Sequence, residues 1–327
     1  MEKVLVTGIS GYIGQHCAAE LLNQGFEVVG SVRSNLKAET SREAISKAAN
    51  TDKLNFIEAD LLSDKGWTQA MIGCSYVLHV ASPFWLAEPK SETELVTPAV
   101  EGTKRVLLAA QKAGVKRVVL TSSTFAIIAG RDAGKYGPTD WSDTSKFIGA
   151  YAKSKTLAEL AAWETVKGSK LELAVINPGA VFGPPLGKNA EAQNIAMMSD
   201  MIAGKMPMIP DMAMGMIDVR DVAKLHVAAM TKSEAAGKRF IACTAEPIEM
   251  STLTKVLREA GYKKAPSTIA PTFLLKLLGI FDNQVKGMLP FIGKKASFDN
   301  TETFKILDWK PTPMADSFKE MAKAISG

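Results

Sequence analysis

Three side chains suited to proton transfer lie near the middle of the chain: Ser123, Tyr151 and Lys155. Tyr151 and Lys155 are four residues apart in a helical pattern, which places them on one face of the helix. A tyrosine hydroxyl, with a pKa near ~10, is a poor acid or base at neutral pH unless a nearby cation stabilises its phenolate. Lys155 can supply that cation, so we expect Tyr151 to exchange a proton with a carbonyl or alcohol oxygen.

Ser123 follows the apolar run 117–120, which predicts a buried strand. Ligands of parallel α/β sheets bind outside the carboxyl ends of the strands, so the Ser123 hydroxyl is placed to orient a substrate oxygen. A Tyr-x-x-x-Lys pair is common by chance. Its position on the helix after the fifth predicted strand, downstream of a glycine-rich turn, makes the combination specific.

That glycine-rich turn follows the first predicted strand and contains Gly8, Gly11 and Gly14. Glycines at this spacing allow a sharp turn, a close approach of the backbone to a pyrophosphate, and tight packing of helix on strand. The N-terminus of the next helix then offers N–H groups and a positive dipole end to phosphates. Because strand, turn and helix occur in the required order, we predict a dinucleotide site.

The end of the second predicted strand favours one dinucleotide over the other. NAD sites usually carry an acid there to accept from the ribose 2′-hydroxyl. This chain has Arg33, with Lys37 close behind, and no acid between Gly30 and Ala38. An arginine can bind a 2′-phosphate through two parallel hydrogen bonds, so we predict NADP(H) as the cofactor. Asp60, after the third strand, is placed to accept from the adenine amino group.

Short apolar runs alternate with helical patterns through the first half of the chain, which predicts an α/β fold with a doubly wound parallel Rossmann-type sheet. The predicted strands are 4–6, 27–32, 55–58, 76–79, 117–120 and 172–176, and the main helices are 12–23, 92–113 and 151–166.

The alternation stops after Ile176, where Asn177-Pro178-Gly179 is expected to end the regular elements. A helix at 218–230 and a strand at 239–242 return to the first domain. We therefore predict a dinucleotide-binding domain of residues 1–177 plus 216–243, and a smaller, mostly helical C-terminal substrate domain of residues 178–215 plus 244–327. The apolar run 271–281 predicts a half-buried helix.

The composition is that of an ordinary globular enzyme, with 46% hydrophobic and 22% charged residues and a net charge of +5. This charge is too small and too dispersed to indicate a nucleic-acid partner. The segment 251–295 has eight Lys or Arg against two acids, which predicts either a solvated basic surface or a rim that attracts anionic substrates.

Sparse cysteines and histidines argue against disulfides and metal sites. The cysteines show no CxxC pair and the histidines no metal-ligand spacing; they are Cys17, Cys74, Cys243, His16, His79 and His226. No uncharged apolar run reaches the ~18 residues of a membrane span, and a strand begins at once, leaving no room for a signal peptide. We expect no metal, no membrane association and a cytoplasmic enzyme.

Taken together, these motifs resemble the extended short-chain dehydrogenases/reductases, and most of all the dihydroflavonol reductase, cinnamoyl-CoA reductase and aldehyde reductase group. The resemblance extends over nearly the whole chain, through the glycine turn and the segments 59–61, 79–83, 119–123, 151–159, 177–184 and 217–222. It implies Ser123, Tyr151 and Lys155 as the catalytic set, a small-molecule carbonyl substrate, and a monomer or homodimer.

The resemblance also implies further cofactor contacts. Val80, Ala81 and Ser82 line the nicotinamide half, while Pro178, Gly179 and Val181 close over it. Tyr151 and Lys155 also contact the cofactor, Lys155 at the nicotinamide ribose. The remaining predicted cofactor residues are Ser10, Tyr12, Ile13, Leu61 and Thr121.

Departures from the plant members of the group bear on the substrate. Plant dihydroflavonol reductases carry an Asn five residues after the catalytic Ser, where this chain has Ile128. The Trp-Tyr-Cys run of plant cinnamoyl-CoA reductases is replaced by residues 148–151, and Asp140-Trp141 is closer to microbial aldehyde and ketone reductases. We favour NADPH-dependent reduction of an aromatic or bulky apolar aldehyde or ketone, reversible as alcohol oxidation, and keep dihydroflavonol 4-reductase activity as an alternative.

A cluster of methionines between Met197 and Met216 has two interpretations: packing within a core, or a soft apolar cover over the substrate. In the second, Phe84, Trp85, Phe125, Met208, Met212 and Met214 bind the substrate. Two rival functions remain, an NAD-dependent nucleotide-sugar epimerase or dehydratase and a non-catalytic NADPH sensor. The first is disfavoured by Arg33 and the methionines, and the second by the presence of both Tyr151 and Lys155.

Overall fold

A computed structural model describes residues 2–83, 87–187 and 192–327. Within these residues the strands are, in chain order, β1 Lys3–Thr7, β2 Glu27–Val32, β3 Leu54–Glu58, β4 Cys74–His79, β5 Arg117–Thr121, β6 Gly134–Tyr136, β7 Glu172–Pro178, β8 Ala180–Phe182, β9 Ala213–Met214, β10 Met216–Asp218, β11 Arg239–Ala242, β12 Ile248–Glu249 and β13 Ala296–Phe298.

The helices of the same ranges are α1 Tyr12–Asn23, α2 Asn35–Ser46, α3 Trp67–Ala70, α4 Thr93–Ala113, α5 Phe125–Ile128, α6 Ala150–Val166, α7 Gln193–Ala203, α8 Val219–Thr231, α9 Met250–Glu259, α10 Thr272–Leu278, α11 Asn283–Met288, α12 Thr301–Leu307 and α13 Met314–Ser326, with short 3₁₀ helices at Ser233–Ala235 and Leu289–Phe291.

The central sheet has seven described strands in the order β11-β7-β5-β4-β1-β2-β3. Every pairing in it is parallel. The order reverses between β1 and β4, which is where ligands of doubly wound sheets bind. The predicted α/β Rossmann-type fold is therefore confirmed.

Alternate residues of these strands pack against helices on opposite faces, because successive side chains of a strand point to opposite sides. On one face Val4 and Val119 pack with residues of α1 and α8, including Leu21 and Leu225. On the other face the strand residues Leu5 and Leu120 pack with residues of α4 and α6. Both faces are covered, which explains the almost continuously apolar strand sequences.

A second hydrophobic core lies among the later elements, where α7, α9 and α13 pack together. Its fully buried side chains include Phe182, Leu253, Leu257 and Phe318. Two sequence expectations concerning these parts were wrong. Strand β7 does not end at Ile176, as predicted, but continues to Pro178, because β11 pairs alongside it to that point.

The second error concerns the apolar run 271–281. It forms the short helix α10 with a single buried residue of the helix, Leu275, while Phe273 and Phe281 are 74% and 85% exposed. Leu274 is half-buried, and the other side chains of α10 are exposed. The division into two domains, 1–177 plus 216–243 and 178–215 plus 244–327, remains a prediction.

Candidate active site

The glycine turn between β1 and α1 has the shape that a dinucleotide pyrophosphate requires. Gly8 has a φ of +67°, and a Cβ atom at Gly8 would lie 2.8 Å from the Ala81 backbone. A Cβ at Gly14 would lie 2.3 Å from the Gly8 carbonyl oxygen. No side chain caps the helix at Gly11, so the first N–H groups of α1 face outward. The absence of side chains thus creates a cradle into which phosphates fit.

Around this cradle, the flanking residues have well-defined positions. Ser10 and Ile13 are half-buried, and the Ser10 carbonyl accepts from Gln15 Nε2 at 3.2 Å. The Tyr12 hydroxyl donates to the Gly183 carbonyl at 2.6 Å, in the loop after β8. Tyr12 can therefore offer only its backbone to a cofactor, since its side chain is buried elsewhere.

The end of β2 carries the groups predicted to choose the cofactor. Arg33 is exposed, and Ser34 caps α2 by accepting from the Lys37 N–H at 3.4 Å. Ser31 Oγ accepts from the Gly8 N–H at 3.4 Å, which joins this strand end to the glycine turn. An exposed cation beside the phosphate cradle suits a 2′-phosphate.

Asp60 and Leu61 follow β3 on the adjoining side. An Asp60 carboxylate oxygen accepts from the Leu62 N–H at 2.9 Å, and the Asp60 carbonyl accepts from Trp67 Nε1 at 3.0 Å. The Leu61 carbonyl accepts from Arg105. These bonds fix the loop, and Asp60 remains half-buried at the carboxyl edge of the sheet.

Ser123, Tyr151 and Lys155 meet where β5 ends against α6. Tyr151 and Ser123 are joined by a side-chain hydrogen bond. Ser123 Oγ also accepts from the Phe125 N–H at 3.1 Å, and Lys155 Nζ donates to the Thr121 carbonyl at 3.2 Å. The structure thus brings the three predicted residues together.

Burial dominates the electrostatics of this trio. It raises the pKa of Tyr151 above its ordinary value of 10.0, and the hydrogen bond with Ser123 only partly offsets the rise. It lowers the pKa of Lys155 from 10.5 to about 8, while the nearby Glu159 charge acts in the opposite direction. The hydrogen bond with Ser123 lowers the Tyr151 pKa, and stabilisation of the phenolate by the Lys155 ammonium remains a prediction. The raised pKa keeps Tyr151 a neutral phenol.

The segment after β4 faces the glycine turn. The Ala81 N–H donates to Thr7 Oγ1 at 3.0 Å, and Thr7 Oγ1 lies 2.8 Å from His79 Nδ1. Burial lowers the pKa of His79 to about 3, so its ring is neutral. Val80, Ala81 and Ser82 are half-buried, as expected for residues that line a cleft.

Residues predicted to close over the cofactor pack against the end of β11. The Gly179 N–H donates to the Ala242 carbonyl at 3.1 Å, and a Cβ at Gly179 would lie 2.1 Å from the Gly215 carbonyl oxygen. The Pro178 carbonyl accepts from the Thr124 N–H at 2.9 Å, and Val181 is 8% exposed.

The Thr121 side chain points away from this cleft. Its Oγ1 lies 2.7 Å from Nε2 of His226, and the other nitrogen of that ring donates to the Val222 carbonyl. Burial lowers the pKa of His226 to about 4, so the imidazole is neutral and the Thr121 hydroxyl donates to it. Thr121 contributes to the site through its carbonyl, which accepts from Lys155.

An aromatic pair borders the reactive hydroxyls. The Phe125 ring meets the Tyr151 ring edge-on, with centroids 6.0 Å apart and planes at 87°. Phe291 lies against Phe125 at 4.3 Å. The sequence indicated Phe125 but not Phe291, which lies 140 residues beyond Tyr151 and in no periodic pattern. Phe84 and Trp85 lie outside the described residues.

Most of the methionine cluster belongs to the second core. Met198, Met201 and Met216 are fully buried there, and Met212 is 8% exposed. Met208 and Met214 are half-buried. Packing within a core thus accounts for most of these residues, and a role of Met208, Met212 and Met214 at the substrate remains a prediction.

The described ranges contain no group of three His, Cys, Asp or Glu residues arranged to hold a metal ion. Among the same residues, no helix combines the length and apolar character needed to cross a bilayer.

Residues 4–243 match the model of the NAD dependent epimerase/dehydratase family. The chain belongs to this family.

Within this family, the chain is similar to several reductases. The chain is 34% identical to the NADPH-dependent methylglyoxal reductase GRE2 of Saccharomyces cerevisiae, over 79% of this chain and 82% of that protein. It is 32% identical to the cinnamoyl-CoA reductase CAD2 of Medicago truncatula, over 78% and 80% of the two chains. The crystal structure of the yeast methylglyoxal/isovaleraldehyde reductase Gre2 complexed with NADPH superposes with a TM-score of 0.83 and 28% identity, covering 99% of this chain and 98% of that chain.

Proposed function

We propose that this chain is an NADPH-dependent carbonyl reductase that converts an aldehyde or ketone to an alcohol. The observation that carries this proposal is the hydrogen-bonded Ser123–Tyr151 pair beside Lys155, at the carboxyl end of β5 and within the sheet that holds the glycine turn. One relative is named as an NADPH-dependent methylglyoxal reductase and another as a cinnamoyl-CoA reductase.

NADP(H) is the cofactor of this chain. A relative is named NADPH-dependent and a solved neighbour holds NADPH. The residues fit that molecule: the turn of Gly8, Gly11 and Gly14 receives the pyrophosphate, Arg33 the 2′-phosphate and Lys155 the nicotinamide ribose. When bound, the reduced cofactor supplies the hydride that reaches the carbonyl carbon.

The protein's own groups manage the carbonyl oxygen. Ser123 Oγ donates a hydrogen bond to that oxygen and orients it, and the Tyr151 hydroxyl delivers the proton that makes it an alcohol. The raised pKa of Tyr151 keeps the proton in place until negative charge develops on the substrate oxygen. The Lys155 ammonium stabilises the resulting phenolate. In the reverse direction Tyr151 accepts the proton of the alcohol.

The substrate carries a flat or bulky apolar group next to its carbonyl. Phe125 contacts the Tyr151 ring and Phe291 contacts Phe125, so an aromatic wall borders the reacting oxygen. Aromatic and branched aliphatic groups of a substrate make favourable contacts with such a wall. Ile128, which packs against a small apolar cluster, offers no polar group to a flavonoid ring.

Consumption of NADPH against aryl aldehydes, aliphatic ketones and a dihydroflavonol tests the proposal. We expect turnover of the first two classes, and a loss of at least about a hundredfold in kcat for Tyr151→Phe with NADPH affinity retained. Phe291→Ala should lower kcat/KM for the aryl aldehydes more than for a small aliphatic ketone. Phe281→Ala, at an exposed position, is the matched control.

Three outcomes would oppose the proposal at different levels. If the wild type turns over no carbonyl, the reductase function is wrong. A preference for the dihydroflavonol would favour the alternative activity, and an unchanged substrate ranking in Phe291→Ala would remove the aromatic wall.

A further inference from the structure

A buried carboxylate lies one helical turn beyond Lys155. Glu159 is fully buried on α6 and accepts three hydrogen bonds of 2.9 Å or less. The donors are Ser122 Oγ at 2.5 Å, Asn177 Nδ2 at 2.9 Å and Arg239 Nε at 2.5 Å. Ser122 and Asn177 lie at the carboxyl ends of β5 and β7, and Arg239 is the first residue of β11, so one side chain joins α6 to three neighbouring strands.

Arg239, which is 8% exposed, completes an ion pair with this carboxylate. Its guanidinium also donates to the carbonyls of Pro138 and Asp140, at 2.7 and 2.6 Å, and lies 3.8 Å from the centre of the Trp141 ring. The planar guanidinium can form this many directed contacts at once, which an ammonium cannot. The loop before α6 is thereby held to β11.

The partners of Glu159 are the immediate neighbours of the proposed catalytic groups. Ser122 precedes Ser123, and Asn177 Nδ2 also donates to the Ser123 carbonyl at 3.2 Å. Glu159 itself shares α6 with Tyr151 and Lys155. The ion pair therefore connects the backbone of Ser123 with the helix that carries the other two residues.

Stability alone is a weak reason for such a pair. Removing two charges from water costs several kcal/mol per ion, and apolar replacements of buried ion pairs are often as stable or more so. Fixing several elements in one geometry is the better attested use of a buried polar network.

We propose that the Glu159–Arg239 ion pair is the positioning element of the active site, holding Ser123 against α6 and placing a carboxylate one helical turn from Lys155. This inference deepens the proposed function and rests on it. Glu159 and Arg239 touch neither substrate nor cofactor in it; they act through Ser123 and Lys155.

The surroundings of Lys155 support the electrostatic part. Among the described residues, Glu159 is the anion that raises the Lys155 pKa, against the lowering by burial. His79 on β4 is neutral because its pKa is about 3, Tyr151 is a neutral phenol, and β5 contributes the Thr121 carbonyl. Arg239 is the cation paired with Glu159. Neutralising Glu159 alone therefore removes the attraction between Glu159 and Lys155, and leaves the repulsion between Lys155 and Arg239 unopposed.

The decisive measurement follows Lys155 itself in Glu159→Gln. Protein labelled with ¹³C at lysine Cε is titrated by NMR, and the Lys155 resonance is assigned by its loss in Lys155→Arg. We expect the titration to move to lower pH by about one unit or more. The fall of kcat/KM at high pH should move by the same amount. A uniform loss of activity with the Lys155 titration unmoved would mean that Glu159 is merely structural, and would overturn the proposal.

Two further variants cover a failure of Glu159→Gln to fold, since it leaves Arg239 buried without its partner. Glu159→Gln combined with Arg239→Met removes both charges, and should still lower the Lys155 titration and reduce kcat more than it raises KM. Glu159→Asp keeps the charge, and should return the titration close to the wild-type position. If both titrate as the wild type does, the electrostatic role is wrong.

The chain offers a matched control at the opposite end of the same strands. Arg117 on β5, also buried, pairs with Glu172 on β7, with Nη2 and Oε2 2.6 Å apart. Glu172→Gln should leave both the Lys155 titration and the pH profile unchanged. Because the NMR titration requires no turnover, it decides this proposal even if the wild type reduces no carbonyl and the proposed function fails.

Discussion

Lys155 is buried in surroundings that oppose its charge. Burial lowers its pKa from 10.5 to about 8, so the folded chain releases the proton at lower pH than the unfolded chain does. Between these two values the unfolded state binds more protons, and stability from this group rises with pH. Below about pH 8 the full cost of burying the ammonium is present. At neutral pH the Lys155 ammonium therefore remains charged although its burial is unfavourable.

This charge should be visible in the pH dependence of the reaction. We expect kcat/KM for NADPH to be level below the Lys155 pKa of about 8 and to fall about tenfold per pH unit above it, because kcat/KM reports the free enzyme. Steady-state rates from about pH 6 to about pH 10 at constant ionic strength test this. Lys153→Gln, on the same helix but paired with Glu92 at the surface, is the control and should keep the wild-type profile. A level profile to the alkaline end would contradict the assignment.

Arg33 is predicted to bind the cofactor at its adenosine end. Because it is exposed, Arg33→Ala should leave the melting temperature unchanged while weakening NADPH binding about tenfold or more, through loss of charge-assisted hydrogen bonds to the 2′-phosphate. NADH binding should hardly change. Fluorescence titration of both reduced cofactors measures the difference. Lys47→Ala, at an exposed position at the C-terminal end of α2, serves as control. An equal loss for NADH and NADPH would show that Arg33 does not recognise the phosphate.

At the scale of the elements, the glycine turn makes a sharp prediction about packing. A Cβ at Gly14 would lie 2.3 Å from the Gly8 carbonyl oxygen, whereas one at Gly11 would lie 3.3 Å from it. Gly14→Ala must push α1 away from β1, so we expect a destabilisation of about 1–3 kcal/mol and loss of NADPH binding. Gly11→Ala should lower the free energy of unfolding, measured by urea denaturation, much less than Gly14→Ala does. Equal stability of the two variants would contradict the close packing.

Elements with strong local signals were predicted to the residue. α1, β2 and β11 begin and end as expected. An apolar pattern is broken sharply at their ends, as at Asn23 and Arg33. The pairing of β6 with β13 was not predictable, because strands of three residues are too short to show an alternating apolar pattern. The extension of β7 through Pro178 depends on a neighbour that lies elsewhere in the sequence.

Some residues of the candidate site could be predicted from the sequence, and others could not. Ser123, Tyr151, Lys155 and the glycines follow from residue types at fixed spacing on predicted elements. Phe291 and Arg239 do not, because their roles arise from tertiary contacts with residues far away in the chain. Burial is also invisible in spacing, and it is burial that sets the pKa of Tyr151 here.

At the scale of the whole molecule, the C-terminal helix α13 seals the second core. Phe318 on this helix is 1% exposed, and its ring meets that of Phe182 edge-on at 5.1 Å. Phe318→Ala should reduce the free energy of unfolding by about 3–5 kcal/mol, through the lost contacts and the cavity left behind. Urea denaturation followed by circular dichroism measures this. Phe273→Ala, at a 74% exposed position, should change it little, and a similarly small effect at Phe318 would contradict the packing described.

The Glu159–Arg239 pair also bears on the order in which the newly made chain becomes organised. The two residues are 80 positions apart, so during synthesis α6 leaves the ribosome well before its arginine does. Until β11 arrives, the carboxylate of Glu159 lacks its ion-pair partner Arg239, and its burial is less favourable. The edge where β5 meets α6 should thus mature late, after the earlier strands have collapsed, and a nascent chain that stops before Arg239 should hold α6 only loosely.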